Sequence, residues 1–167
     1  MASPRIIVLM GPAGAGKTTV GLALAQSLGW RFLDADDFHS PENVAKMHSG
    51  VGLTDADREP WLRAIHDALH QLYAQGVNAV LACSALKEEY RRAIAPENAA
   101  GEMRFVYLHA PASVLHERLA KRVGHYAGPQ LLASQLETLE EPRDALWVDA
   151  TCAPQEIVTR IRRELGV

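Results

Sequence analysis

The sequence predicts an α/β fold in which helices cover both faces of a five-stranded parallel sheet. Residues 5–10 form an almost continuous apolar run rich in β-branched side chains, which is typical of a strand buried on both faces. Apolar residues then recur at helical spacing from Val20 to Leu28. Strand-like and helix-like segments alternate to the end of the chain, as they do when each parallel strand is followed by a crossover helix.

Four further strands are predicted, at residues 30–34, 77–83, 103–109 and 146–149. Between the second and third strands, Ser40 and Pro41 are placed as the N-cap and first residue of a short helix. A longer helix follows, with an apolar face that begins at Trp61 and an end at Gly76. The 167 residues fit one domain that spans residues 1–167.

Composition describes an ordinary globular protein, with 48% hydrophobic and 22% charged residues. A formal net charge of −3 argues against nucleic acid as the main partner. The first strand leaves no room for a signal peptide, and no apolar run approaches the roughly 20 residues that span a bilayer. We therefore expect a cytoplasmic protein with no membrane partner. Cys83 and Cys152 are isolated in the sequence, and we expect two buried thiols.

Residues 11–18 match the phosphate-binding P-loop, G-x-x-x-x-G-K-[ST], at every fixed position. Its glycines let backbone N–H groups turn toward a polyphosphate. Lys17 adds a charge near the β- and γ-phosphates, and Thr18 offers a hydroxyl to Mg²⁺. The sequence therefore predicts a site for a nucleoside triphosphate with magnesium. The residues expected to hold the nucleotide here are Gly11, Pro12, Ala13, Gly14, Ala15, Gly16, Lys17, Thr18 and Thr19.

Carboxylates cluster where the second predicted strand ends. Asp34 and Asp36 alternate onto the same side of the chain, and ligands collect beyond the carboxyl ends of parallel strands. One could hold Mg²⁺, directly or through water, while another accepts a proton from an attacking hydroxyl. The alternative is a solvated turn with helix-capping aspartates, and for Asp37 that interpretation is as good as a functional one.

Basic and hydroxyl side chains are expected at the same edge. The strand at 77–83 delivers Ser84, Lys87 and Arg91 there, unless Lys87 and Arg91 form a solvated basic face. Arg58 either clamps a substrate carboxylate or pairs with a neighbouring aspartate.

Arg118 and Arg122 stand four residues apart on a helix that begins near Pro111. They suit the charge of a triphosphate, although a solvated ridge is the alternative. The glycine-flanked segment that follows is typical of a lid, at about residues 123–138, which closes over the nucleotide and excludes water. An acidic strand end beside a basic lid points to a small-molecule kinase with a three-layer P-loop kinase fold.

Longer blocks of the chain resemble the gluconokinases, a family of P-loop kinases similar to nucleoside monophosphate kinases. Two blocks are specific to that family: Asp57-Arg58-Glu59-Pro60-Trp61-Leu62 and Cys83-Ser84-Ala85-Leu86-Lys87. Further matching segments are Leu33-Asp34-Ala35-Asp36 with His39 and Asn43, Lys46-Met47 with Gly50, Arg118-Leu119 with Arg122, and residues 134–140. Ala35 stands where the family commonly has glycine, and the chemistry of the lid also varies among relatives.

The resemblance implies that ATP phosphorylates D-gluconate at its 6-hydroxyl, giving 6-phospho-D-gluconate and ADP, and it implies a homodimer. Asp36 would be the base or would orient the hydroxyl, with Lys17 and Arg122 at the transferred phosphate. Asp34 would bind magnesium through water, and Arg118 and Pro154 would contact the nucleotide. The residues implied to bind gluconate are Asp36, His39, Arg58, Ser84, Lys87 and Arg91. A kinase for another hydroxylated acid such as shikimate, or an ATP-binding module that transfers nothing, are the alternatives.

Overall fold

The computed structural model describes residues 3–122 and 129–167. Within them a single sheet has the strand order β2-β3-β1-β4-β5, and every pairing is parallel. The predicted five-stranded parallel sheet is confirmed. Its strands are β1 (Ile6–Met10), β2 (Arg31–Asp34), β3 (Ala79–Ala82), β4 (Met103–His109) and β5 (Leu146–Asp149).

Helices connect successive strands. Those in the described residues are α1 (Lys17–Leu28), α2 (Pro41–His48), α3 (Asp55–Ala74), α4 (Glu88–Ile94), α5 (Ala112–Ala120), α6 (Pro129–Thr138) and α7 (Pro154–Leu165). Short 3₁₀ turns occupy Ala35–Phe38 and Glu97–Ala99. No helix in this part of the chain is long and apolar enough to cross a membrane. Residues 123–128 of the predicted lid lie outside the described residues, and the remainder of that segment is α6.

The central strand β1 is buried on both faces, and its side chains alternate between two cores. Ile7 and Leu9 pack with α1, α5 and α7, whereas Ile6, Val8 and Met10 pack with α3 and α4. The sheet is therefore the middle of three layers, as the sequence predicts.

Helix starts follow the side chains that cap them. Ser40 Oγ accepts a hydrogen bond from Asn43 N at 3.1 Å, which confirms the predicted start of α2. At α3, Thr54 and Asp57 each accept a hydrogen bond from the other's backbone N–H. This capping box starts the helix at Asp55. The helix therefore starts six residues before Trp61, where the predicted apolar face begins, and it includes Pro60.

The two cysteines differ in their surroundings. Cys83 is buried directly after β3, as expected, and burial raises the pKa of its thiol to about 12. Cys152 is exposed, so the expectation of a second buried thiol is wrong. It stands in the turn between β5 and α7, outside the sheet and helix layers that bury Cys83.

The loop after β3 contains an unusual backbone conformation that Arg91 supports. Ala85 has a φ of 47°, in the left-handed region that residues other than glycine seldom adopt. The buried Arg91 guanidinium donates to Ala85 O at 2.7 Å and to Glu140 O at 3.0 Å. The guanidinium of Arg91 is thus directed at two backbone carbonyl groups, and its contact with substrate stays a prediction. Burial lowers the pKa of Arg91.

Replacing Arg91 tests this structural role. We expect Arg91→Ala to lower the free energy of unfolding by about 2 kcal/mol, because one buried and one half-buried carbonyl oxygen lose a charged donor. Urea denaturation measures the change.

The adjacent Arg92 provides a matched control. It is exposed and pairs with Glu88 at 2.8 Å one helical turn away, so Arg92→Ala should cost less than about 0.5 kcal/mol. Equal losses in the two variants would contradict the role given to Arg91.

Candidate active site

A polar cavity lies at the carboxyl edge of the sheet, where the P-loop meets the ends of β2 and β3. Parallel strands place all their carboxyl ends at one edge, so segments distant in sequence converge there. Gly11 N, at the start of the P-loop, donates to Ser84 O at 3.2 Å and joins the ends of β1 and β3. The lining residues are Ala13, Gly14, Gly16, Lys17, Thr18, Asp34, Asp36, Ala82, Cys83, Ser84 and Arg122.

The backbone of the P-loop requires glycine at defined positions. Gly11 has a φ of 145°, and a Cβ there would lie 2.7 Å from Leu108 O on β4. Gly16 precedes α1 with a φ of 94°, which directs the chain from the loop into the helix. The cavity therefore receives the N-terminal end of a 12-residue helix, whose free N–H groups favour an anion.

Lys17 reaches back across the loop from the first turn of α1. Its Nζ donates to Gly11 O at 2.9 Å and to Pro12 O at 3.0 Å. Burial lowers the pKa of Lys17, while the carboxylates of Asp36 and Asp34 oppose that effect. Arg122 is close enough to lower the pKa of Lys17 further. The structure thus brings the predicted Lys17, Asp36 and Arg122 to one cavity.

Asp34 has two roles that the sequence analysis treated as alternatives. Its Oδ1 accepts a hydrogen bond from Asp36 N at 3.0 Å and so caps the 3₁₀ turn. Its Oδ2 accepts from Thr18 Oγ1, also at 3.0 Å. The hydroxyl of Thr18 and the carboxylate of Asp34 are oxygen ligands of the kind that fits Mg²⁺ bound to a nucleotide. Asp37 lies exposed on the turn and is not among the residues that line the cavity.

Arg118 ties the P-loop to the turn after β5. Its guanidinium donates to Gly14 O at 3.2 Å and to Ala150 O at 2.6 Å. Pro154 begins α7 close by in sequence and is exposed, as is Thr19 on α1. Contacts of these three residues with a nucleotide stay predictions.

A second polar cluster joins α3 to the loop before α4. Arg58 Nη1 donates to Tyr90 Oη at 3.1 Å, and that hydroxyl donates to the carboxylate of Asp55. Lys87 Nζ and Arg58 Nη1 each lie 3.7 Å from Asp55 Oδ1. Arg58 therefore does pair with an aspartate, but through one nitrogen of a group that carries five N–H donors. Tyr90 was assigned no role from the sequence, and its hydroxyl links Arg58 to Asp55.

His39 stands between this cluster and Asp36. Its backbone N–H donates to Asp36 O at 3.3 Å, and its ring stacks on Trp61 with centroids 4.3 Å apart. Burial and the charge of Arg58 lower the pKa of His39 to about 4. The imidazole is therefore neutral at neutral pH.

Gln135 is a contact of the P-loop that the sequence analysis missed. Its Oε1, on α6, accepts a hydrogen bond from Ala13 N at 2.7 Å. The two residues are 122 positions apart, so no local pattern could pair them. The only signal was the position of Gln135 in a segment similar to gluconokinases.

Comparisons with known proteins place this geometry in a family. The shikimate kinase family model matches residues 13–164. The gluconokinase of Gluconobacter oxydans is 48% identical over 141 residues, which cover 84% of this chain and 78% of that protein. The chain belongs to the gluconokinase family. A crystal structure of a gluconokinase from Sinorhizobium meliloti 1021 has a TM-score of 0.86 and 44% identity, covering 99% of this chain and 94% of that one. Shikimate kinase from Aquifex aeolicus shares the fold, with a TM-score of 0.62 at 20% identity over 96% of each chain.

The two blocks that are specific to gluconokinases supply much of this site. Residues 57–62 contribute Arg58 and Trp61 from α3, and residues 83–87 contribute Ser84 and Lys87 from the end of β3.

Replacing Gln135 tests whether α6 supports the nucleotide site. We expect Gln135→Ala to weaken ATP binding about fivefold, the equivalent of one neutral hydrogen bond, because Ala13 N loses its acceptor. Titration calorimetry with a non-hydrolysable ATP analogue measures the dissociation constant.

The neighbouring Ser134 is exposed and gives the control, since Ser134→Ala leaves the contact with Ala13 in place. An unchanged dissociation constant for Gln135→Ala would show that this hydrogen bond only packs α6 against the loop.

Proposed function

We propose that this chain transfers the γ-phosphoryl group of ATP to the 6-hydroxyl of D-gluconate, giving 6-phospho-D-gluconate and ADP. The observation that carries the proposal is the placement of two unlike subsites along one edge of the sheet. The phosphate cavity contains Lys17 and Asp36, and the second cluster presents Arg58 and Lys87. His39 connects them, so a flexible acid with a terminal hydroxyl can contact both.

The P-loop and its neighbours support binding of ATP with magnesium. Backbone N–H groups of the loop and the N-terminal end of α1 would hold the phosphates. Thr18 would bind Mg²⁺, with Asp34 holding it through water, and the ion would neutralise charge on the phosphate oxygens. Arg118 and Pro154 would lie beside the adenine, on the turn that Arg118 already joins to the P-loop.

Lys17, Arg122 and Asp36 would act on the transferred group. The two cations stabilise the charge on the γ-phosphate oxygens in the transition state. Asp36 accepts a hydrogen bond from the 6-hydroxyl and takes its proton as the new oxygen–phosphorus bond forms. Because the transition state of phosphoryl transfer is loose, this proton leaves late, and Asp36 also contributes by orienting the hydroxyl.

The acid end of gluconate would meet the second cluster. Arg58 binds its carboxylate with Lys87, since a guanidinium matches the two oxygens of a carboxylate. His39 and Ser84 would donate hydrogen bonds to hydroxyl groups along the chain of the substrate. We also propose that the enzyme works as a cytoplasmic homodimer, which rests on the resemblance to gluconokinases.

A panel of acceptors tests the substrate. With ATP and Mg²⁺, we expect ADP release that depends on D-gluconate and exceeds release with D-glucitol at least about tenfold, because glucitol has no carboxylate to pair with Arg58. A coupled ADP assay measures each rate beside a reaction without acceptor.

Two outcomes would contradict the assignment. Release with shikimate but not with gluconate would replace the substrate and keep the phosphate site. Binding of ATP without release to any acceptor would favour a regulatory ATP-binding module.

The variant Asp36→Asn tests the group that meets the reacting hydroxyl. We expect kcat to fall at least about 100-fold while the KM for gluconate changes little, because an amide still touches the hydroxyl but cannot take its proton. Asp37→Asn changes the adjacent exposed carboxylate in the same way and serves as the control. Near-normal turnover by Asp36→Asn would show that Asp36 is not the base and only orients the hydroxyl.

A further inference from the structure

Asn43 is a buried polar residue that joins α2 to α3 and to His39. Its side chain is 5% exposed, and Asn43 Nδ2 donates to Asp57 O at 2.9 Å. The same nitrogen lies 3.4 Å from His39 Nδ1. The amide of Asn43 thus contacts two groups whose hydrogen-bonding roles can be worked out.

The carbonyl of Asp57 determines which way the amide of Asn43 faces. A backbone carbonyl oxygen only accepts hydrogen bonds, so the group beside it must be the NH₂ of Asn43. That NH₂ is a donor toward His39 as well, and a ring nitrogen that faces a donor must be the unprotonated one. The proton of the neutral imidazole therefore belongs on Nε2.

We propose that Asn43 holds His39 in the Nε2–H tautomer, which makes Asn43 a positioning residue and His39 a hydrogen-bond donor to an acceptor oxygen of the substrate. The second half of this inference rests on the proposed function, whereas the tautomer does not. Specificity follows from the polarity of the contact, because an Nε2–H group recognises a hydroxyl or carboxylate oxygen and repels a second donor.

Two further contacts restrict the ring of His39. Trp61 stacks against it with an interplanar angle of 10°, and Trp61 Nε1 donates to Ala35 O at 2.7 Å. The indole is thereby tied to the turn that carries Asp36. The imidazole therefore cannot tilt away from Asn43 without breaking this stack.

The charges around His39 favour a neutral ring. Arg58 acts on it as a positive charge, and Lys46 is neutralised by Asp57 at 2.8 Å. The folded-state pKa of about 4 lies below the usual 6.5, so His39 stays neutral as the pH falls to about 5 and takes up a proton only below that. The charged groups on the elements around His39 are Asp36 and Asp37 on the preceding turn, Glu42 and Lys46 on α2, and Asp57 and Arg58 on α3.

The tautomer of His39 can be tested in the wild-type protein, without any substitution. In ¹⁵N spectra of the seven histidines, with His39 assigned by its loss in His39→Gln, we expect a protonated Nε2 and a bare Nδ1. Neither signal should titrate between pH 8 and pH 5. A proton on Nδ1, or titration near pH 6.5, would overturn the inference.

The variant Asn43→Asp tests the positioning role by turning the donor into a carboxylate. We expect the proton of His39 to move to Nδ1 and its pKa to rise above 6, because the carboxylate accepts that proton and stabilises the imidazolium. The kcat/KM for gluconate should fall at least about tenfold and depend on pH between 5 and 8, with the KM for ATP unchanged.

Asn78→Asp is the matched control, because Asn78 also makes a side-chain hydrogen bond, to Arg5 at 3.1 Å, but lies before β3 at the opposite edge of the sheet. If Asn43→Asp leaves the titration of His39 unchanged, Asn43 does not position it. If His39 shows the expected tautomer but the protein does not phosphorylate gluconate, the tautomer assignment stands and the proposed substrate is removed.

Discussion

The hydrogen bonds from Lys17 to the carbonyls of Gly11 and Pro12 hold the P-loop in shape, and the rest of the site is arranged around that loop. The ammonium group of Lys17 draws these two carbonyl oxygens toward itself and so restrains the backbone of the loop. Neighbouring elements hold the same loop from outside, through Ser84 O, Arg118 and Gln135. Contacts within the protein therefore fix the shape of the phosphate cavity, and donors held in this way stabilise charge with little reorganisation.

The acceptor side of the site depends on a different part of the chain. It is built from α2, α3 and the turn after β2, which are joined through Asn43, Trp61 and the capping box of α3. Neither this group of elements nor the P-loop forms the site alone. They meet because β2, β3 and β1 are successive strands of a parallel sheet, whose carboxyl ends lie at one edge.

Local patterns in the sequence predicted the fold and most of the cavity. The strands at 103–109 and 146–149 have the predicted bounds, because each is a short apolar run between turn residues. Asp34 and Arg122 reach the cavity because the position of a strand end or a helix end follows from topology. Arg91 and Gln135 could not be predicted in this way, since their partners Glu140 and Ala13 lie 49 and 122 residues away. The spacing of Lys87 and Arg91 suggested a shared helix face, but Lys87 is the N-cap of α4 and Arg91 points into the protein.

The left-handed Ala85 has a consequence for how this chain can evolve. A non-glycine residue in that conformation costs about 1–2 kcal/mol, and the hydrogen bond from Arg91 to its carbonyl offsets the cost. Glycine at position 85 would remove the strain. Because the hydrogen bond from Arg91 would then have no strain to offset, the selection that retains arginine at position 91 would weaken. Positions 85 and 91 are therefore expected to drift as a pair along a lineage.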